Sequence, residues 1–118
     1  ICTAFGTGKP YRQFLYAPDF ANIIVKLLFV DIRPNDTLII CNDEEYSIRE
    51  IVKTLSRIMG INFSDVQWDT SKSDGCLKKS VDNSLFKSLY PEYNFTNFSE
   101  GIIKTYAWYK EFVDKLRK

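Results

Sequence analysis

The chain of 118 residues is 45% hydrophobic and 26% charged, the balance of one soluble globular domain, which excludes a disordered or fibrous segment. Sixteen Lys and Arg against fifteen Asp and Glu leave a formal net charge of +1, so no overall field draws in nucleic acid or an anionic membrane. Any anion has to be caught by a local cluster. There is no histidine, which removes a Ser-His-Asp triad, a Cys-His pair, a His-ligated metal and an imidazole acid or base from these residues.

At this length folding buries roughly two-thirds of the surface of the open chain, and an aromatic content of 15% supplies large pieces for a core. Cys2, Cys41 and Cys76 form no close pair, and this odd, sparse set suits reduced, buried structural thiols of a cytosolic protein better than a disulfide framework. Asn-x-Ser/Thr sites at Asn35, Asn62, Asn94 and Asn97 count only in a secreted chain and carry little weight. No apolar run approaches the roughly 18 residues that cross a bilayer. The opening Ile1-Cys2-Thr3-Ala4-Phe5 reads as the interior of something longer, so a missing signal peptide has no meaning here.

In chain order, residues 4–16 predict two short extended segments around the turn Gly6-Thr7-Gly8-Lys9-Pro10. A helix follows, with Pro18 in its first turn and an apolar face of Phe20, Ile23, Ile24, Leu27 and Leu28; Arg33-Pro34-Asn35-Asp36 breaks it. The β-branched, apolar run at residues 37–42 predicts a buried strand. Ser47-Ile48-Arg49-Glu50 is a capping box, and the helix it opens turns Ile48, Ile51, Val52, Leu55 and Ile58 inward and stops at Gly60. Residues 66–69 predict a strand and residues 70–75 a loop at its carboxyl end. Asp82 is placed to cap a short helix through Leu89. Ser99 is placed to cap a last helix with Ile102, Tyr106, Tyr109, Val113 and Leu116 along one side and a basic final turn at 115–118. The sum is a small mixed α/β unit without internal repeats. It has no Gly-x-Gly-x-x-Gly and no Walker-type loop, so a dinucleotide or triphosphate site of the Gly-rich kind is absent.

Three local features hold candidate chemistry. Arg12, between a glycine turn and an aromatic strand, either grips a phosphate with its planar fork or is simply solvated or ion-paired. The loop Thr70-Ser71-Lys72-Ser73-Asp74-Gly75, with Lys78 and Lys79 beyond it, suits a ligand carrying hydroxyls and phosphates, or is a plain solvated loop. Phe5, with Tyr11 nearby, either covers a base or ribose face or belongs to the core.

Together, Phe5-Gly6-Thr7-Gly8-x-Pro10-x-Arg12-Gln13-Phe14-Leu15-Tyr16-x-x-Asp19-Phe20-Ala21 resembles the extended short-chain dehydrogenase/reductases that act on nucleotide sugars. The run Asp69-Thr70-Ser71-Lys72-Ser73-Asp74-Gly75-x-x-x-Lys79 and Ala107-Trp108-Tyr109 narrow this to a GDP-sugar epimerase-reductase of that family. The resemblance spans essentially the whole chain. It implies a small mixed-sheet α/β lobe, residues 1–118, that binds the GDP-sugar, the Rossmann part being absent along with its catalytic groups. It implies conversion of GDP-4-dehydro-6-deoxy-D-mannose to GDP-L-fucose by 3,5-epimerisation and 4-reduction. NADPH would be bound by the absent N-terminal domain, with no metal, in a cytoplasmic homodimer, and this segment alone would be inactive. Matched position by position, Arg12 falls on the family's diphosphate arginine, Phe5 where a tryptophan usually flanks the nucleotide, Asp74 on a substrate-binding aspartate and Lys79 on a basic position near the phosphates. Phe5 departs from the pattern and loses the indole N–H donor. Another nucleotide-sugar epimerase or dehydratase, a non-catalytic GDP-sugar module and an unrelated α/β interaction domain are the alternatives.

Overall fold

Three-residue strands and short helices alternate in the computed structural model, which describes residues 2–29, 35 and 37–116. The predicted break at residues 33–36, Asn35 apart, and the basic residues 117 and 118 lie outside the described residues. Strand β1 (Thr3–Phe5) pairs in parallel with β4 (Gln67–Asp69), placing Phe5 opposite Asp69. Strand β2 (Tyr11–Gln13) pairs antiparallel with β3 (Glu45–Ser47), placing Tyr11 opposite Ser47. The helices are α1 (Ala17–Leu28), α2 (Ile48–Met59), α3 (Ser84–Leu89) and α4 (Phe98–Phe112). This is the predicted mixed α/β lobe with small sheets. Among the described residues no helix is long and apolar enough to cross a membrane.

Helix α2 follows its sequence signals closely. The Ser47 hydroxyl accepts from the Glu50 amide at 3.2 Å while the Glu50 carboxylate accepts from the Ser47 amide at 2.7 Å, which satisfies two of the orphan donors of the first turn. Gly60 closes the helix. At α4 the expected cap moves: Asn97, two residues before Ser99, accepts from the Ser99 and Glu100 amides, so the helix opens at Phe98. Both residues suit the role chemically, and Asn97 holds the position at which the chain turns from extended to helical. At α3 the expected cap also moves by one: Asn83 holds the N-cap position without a side-chain cap bond, and Asp82 before it accepts from the Ser84 amide at 2.9 Å.

The predicted strand at residues 37–42 forms no ladder. The third strand lies instead at Glu45–Ser47, where β2 offers an open edge. The carbonyls at the end of the 37–42 run are taken by side chains: Asn83 donates to the Cys41 oxygen at 2.8 Å, and Gln13 to the Asn42 oxygen at 3.1 Å. A β-branched run needs a partner strand within reach, and its propensity alone does not supply one.

The core is small. Ile23, Cys41, Val66 and Phe86 are the buried apolar residues among those described, and of these Ile23 and Phe86 are fully buried. Aromatic clusters do much of the packing: Phe86 meets Tyr90, Tyr93 and Phe95 at centroid distances of 5.5–6.0 Å, and Phe98 stacks on Tyr46 at 4.0 Å. Asp19, buried in α1, ties in residues 93–96 by accepting from the Thr96 amide and hydroxyl at 2.8 and 2.9 Å. Of the predicted apolar face of α1 only Ile23 is buried and Leu27 partly so; Phe20, Ile24 and Leu28 are exposed. The radius of gyration is 17.0 Å, against about 13 to 14 Å for a compact chain of this length. The surface is 8838 Å², against about 6600 Å² for a compact protein of this mass. Length alone therefore overstated how self-contained the core is. The expectation of three buried thiols holds for Cys41, whose pKa burial pushes up; Cys2 is half-buried and Cys76 is exposed, because it lies in the loop that follows Gly75.

Replacing Ser47 by Ala removes one side of the capping box and is expected to destabilise the fold by about 1 kcal/mol. Urea unfolding will read this as a lower midpoint with an unchanged slope.

Candidate functional site

The parallel pair brings two chain segments out side by side. β1 and β4 end together at Phe5 and Asp69, and the Gly6 amide continues the ladder by donating to the Asp69 carbonyl at 2.9 Å. The glycine turn and the loop 70–75 therefore leave from the same carboxyl ends, the place where open α/β sheets present ligand crevices.

Asp74 locks the two together. Its Oδ1 accepts from the Thr7 amide at 2.7 Å and its Oδ2 from the Thr7 hydroxyl at 2.6 Å. The two donors, the hydroxyl first, hold the Asp74 carboxyl below the usual carboxylate range. The turn needs its glycines for two reasons. Gly6 and Gly8 have φ of 80° and 78°, conformations that side chains rarely adopt. A Cβ on Gly6 would also run into Asp74 Oδ1, and one on Gly8 would come within 2.6 Å of the Trp68 ring.

From the other side the turn is gripped by α2. The Ile48 amide donates to the Pro10 carbonyl and the Arg49 amide to the Gly8 carbonyl, both at 2.9 Å, so two orphan donors of the helix N-terminus find their partners in the turn. The Arg49 guanidinium lies 4.8 Å from the Trp68 ring centroid and donates to the Thr7 carbonyl at 3.4 Å.

Arg12 projects from β2 beside this junction. It is half-buried, donates through Nη1 to the Tyr11 carbonyl at 2.7 Å, and a Cβ on Gly75 would lie 3.7 Å from its Nη2. Among the described residues the ion pairs are Lys78 with Glu45, Lys87 with Asp43 and Lys104 with Glu100; Arg12 has no carboxylate partner. The ion-paired reading of Arg12 finds no partner among the described residues. Phe5 is 67% exposed, which removes its core reading, and the Lys72 ammonium sits 5.8 Å from its ring centroid. Residues 77–79 run beside β2: the Tyr11 amide donates to the Leu77 carbonyl at 2.8 Å and the Lys79 amide to the Tyr11 carbonyl at 3.4 Å. Lys79 is thus fixed by its backbone and exposed, while Lys78 is committed to Glu45 at 3.2 Å.

All four sequence-selected residues, Phe5, Arg12, Asp74 and Lys79, lie on the junction of the glycine turn, β2 and the loop 70–79. Thr7, Arg49 and Lys72 join them. Thr7 had a signal, a hydroxyl between two glycines; Arg49 had none, because it arrives from a helix 42 residues along the chain. Asp74 faces Thr7, so its first task is to close the turn. Such an arrangement presents the Arg12 guanidinium, an exposed ring and flanking ammonium groups to an anion with a flat moiety.

No family model matches the chain. It is 34% identical over its whole length to a probable GDP-L-fucose synthase of Drosophila melanogaster, and 33% identical over 98% of its length to the GDP-L-fucose synthase of Dictyostelium discoideum. The crystal structure of a GDP-L-fucose synthetase from Naegleria fowleri bound to NADP matches 98% of the chain with a TM-score of 0.90 at 32% identity, and the chain covers 36% of it. The chain is similar throughout to GDP-L-fucose synthases. It spans 37% and 36% of the two curated relatives, a little over a third of each. Its architecture matches the C-terminal part of the extended short-chain dehydrogenase/reductases, and the family resemblance carried by its motifs is borne out.

The lowered pKa of Asp74 sets a pH dependence. The clamp is fully formed above the usual carboxylate range and is lost as pH falls through the depressed value of the folded state. Thr7→Ala removes the larger of the two causes, so carbon-detected NMR should show the Asp74 titration midpoint rising toward the usual carboxylate range.

Proposed function

We propose that residues 1–118 form the substrate-binding lobe of an NADPH-dependent enzyme that converts GDP-4-dehydro-6-deoxy-D-mannose to GDP-L-fucose. Arg12 carries the proposal: a half-buried guanidinium on β2 that has no carboxylate partner among the described residues and lies beside the turn and loop that leave the ends of two parallel strands. In this reading Arg12 holds the diphosphate, Lys79 adds positive charge beside it, and the exposed Phe5 ring flanks the base. Asp74 acts mainly through Thr7, holding the crevice wall in place, with lone pairs left to accept a hydroxyl or N–H of the ligand. Holding the nucleotide remotely keeps the hexose positioned while the chemistry proceeds.

The described residues do not fit a dinucleotide. The Gly6-Thr7-Gly8 turn leads into a strand rather than a helix, and its Thr7 amide is already taken by the Asp74 carboxylate, so the turn offers no free helix N-terminus to a dinucleotide. The chain has no histidine, and among the described residues no group of three or more acidic or cysteine residues could hold a metal, so binding and positioning are the roles assigned to this lobe. NADPH and the reacting acid–base groups are therefore assigned to a separate nucleotide-binding domain. The exposed apolar residues of α1 and α4, Phe20, Ile24, Leu28, Ile103 and Trp108 among them, support a lobe that packs against further protein. A cytoplasmic homodimer completes the proposal, and the exposed, unpaired Cys76 suits a reducing compartment.

In the full-length protein, Arg12→Ala should raise KM for the GDP-sugar at least tenfold with the Kd for NADPH unchanged, since a charge-assisted contact is worth about 1.5 to 3 kcal/mol. An unchanged KM for the sugar nucleotide would falsify the Arg12 assignment. The 118-residue chain alone should bind GDP weakly or not at all, and micromolar binding by calorimetry would show that the pocket is complete within this lobe.

A further inference from the structure

Glycine loses more backbone freedom on ordering than any other residue, so a turn with Gly6 and Gly8 on either side of Thr7 does not hold itself. Asp74 holds it from one side, through the Thr7 amide and hydroxyl. A carboxylate only accepts, so Asp74 cannot hold the Thr7 carbonyl as well. That carbonyl is met by the Arg49 guanidinium, whose Nη2 donates at 3.4 Å. The peptide planes before and after the Thr7 Cα are therefore tied to different neighbours, the loop that follows β4 and helix α2.

At 3.4 Å the bond alone is weak, and the placement of the guanidinium decides what it is worth. The group lies 4.8 Å from the Trp68 ring centroid and 5.9 Å from that of Phe63. An exposed arginine gives up rotamer freedom to fix one geometry, and contact with the two rings offsets that loss. The same pieces close on Gly8: a Cβ there would come within 2.6 Å of the Trp68 ring and 3.1 Å of the Arg49 Cβ. The turn then leads through Pro10 into β2 and Arg12, and the Asp74 clamp seats Gly75 so that a Cβ on it would lie 3.7 Å from Arg12 Nη2.

We propose that Arg49 is a positioning residue for the nucleotide end of the GDP-sugar: by closing on the Thr7 carbonyl and the Trp68 ring it holds the glycine turn against Asp74, and so keeps Arg12 where the diphosphate is gripped. This role rests on the GDP-sugar reading given above. Lysine would serve less well, because its ammonium lacks the planar fork that lies on a ring and donates from its edge.

The test uses Arg49→Ala and Arg49→Lys in the full-length protein. Alanine is the best helix former, and position 49 keeps the backbone amide that donates to the Gly8 carbonyl, so α2 is expected to stay intact. Without ligand, hydrogen exchange of the Thr7 amide, read by NMR, should speed about fivefold to tenfold in Arg49→Ala while amides in the middle of α2 exchange as before. KM for the GDP-sugar should rise about threefold to tenfold at unchanged kcat and unchanged Kd for NADPH, and Arg49→Lys should recover part of both effects. A merely structural role would speed exchange throughout α2 and lower the active fraction with KM unmoved, and that outcome overturns the proposal. Unchanged Thr7 exchange overturns it too, as does a KM that rises in Arg12→Ala and not in Arg49→Ala. A KM unmoved by either substitution, with Thr7 exchange accelerated, shows that the GDP-sugar reading has failed and takes the binding role of Arg49 with it.

Discussion

The rest of the structure turns on the pair of hydrogen bonds from Thr7 to Asp74. They join segments 67 residues apart in the chain and hold the glycine turn against the loop that follows β4. With that turn fixed, its carbonyls point at the N-terminus of α2, and the orphan amides of Ile48 and Arg49 have somewhere to go. The same turn delivers the chain into β2, which carries Arg12. A turn that could open would free the helix end, the strand and the arginine together.

Electrostatics at this junction come from which charges are consumed, since the net charge of +1 is too small to matter. Asp74 is held by Thr7, Glu45 by Lys78 and Ser80, and Asp43 by Lys87 and Asn83. Their partners hold these three carboxyls below the usual carboxylate range. Rigid placement matters more than the number of charges, because an exposed, mobile lysine recognises a diphosphate poorly.

The stability of the lobe is arranged differently from that of a compact domain. Few side chains are fully buried, and the packing runs through ring clusters around Phe86 and Phe98 and through buried polar ties such as Asp19 to Thr96. Chain segments with little apolar burial are held by side-chain hydrogen bonds to the backbone, as Asn83 and Gln13 do for the stretch around Cys41. This leaves apolar faces on α1 and α4 toward solvent, the expected consequence of an elongated shape.

Local rules were enough where the interaction is local. The capping box of Ser47 and Glu50, the stop at Gly60 and the extended segments around the glycine turn could all be read from residues a few positions apart, because those signals are local. The similarity carried by the Arg12 and Lys72-x-Asp74-Gly75 runs was legible for the same reason, each motif being contiguous. The strand at residues 37–42 was not, since a ladder depends on a partner that the run itself does not contain. Nor was the union of Phe5, Arg12, Asp74 and Lys79 with Thr7 and Arg49, which come from four separate segments. The sequence by itself determined the helices, the turn chemistry and the family resemblance; only the tertiary structure decided which carboxylates are spent, which residues surround Arg12 and which apolar faces stay open, because these depend on distances between residues far apart in the chain.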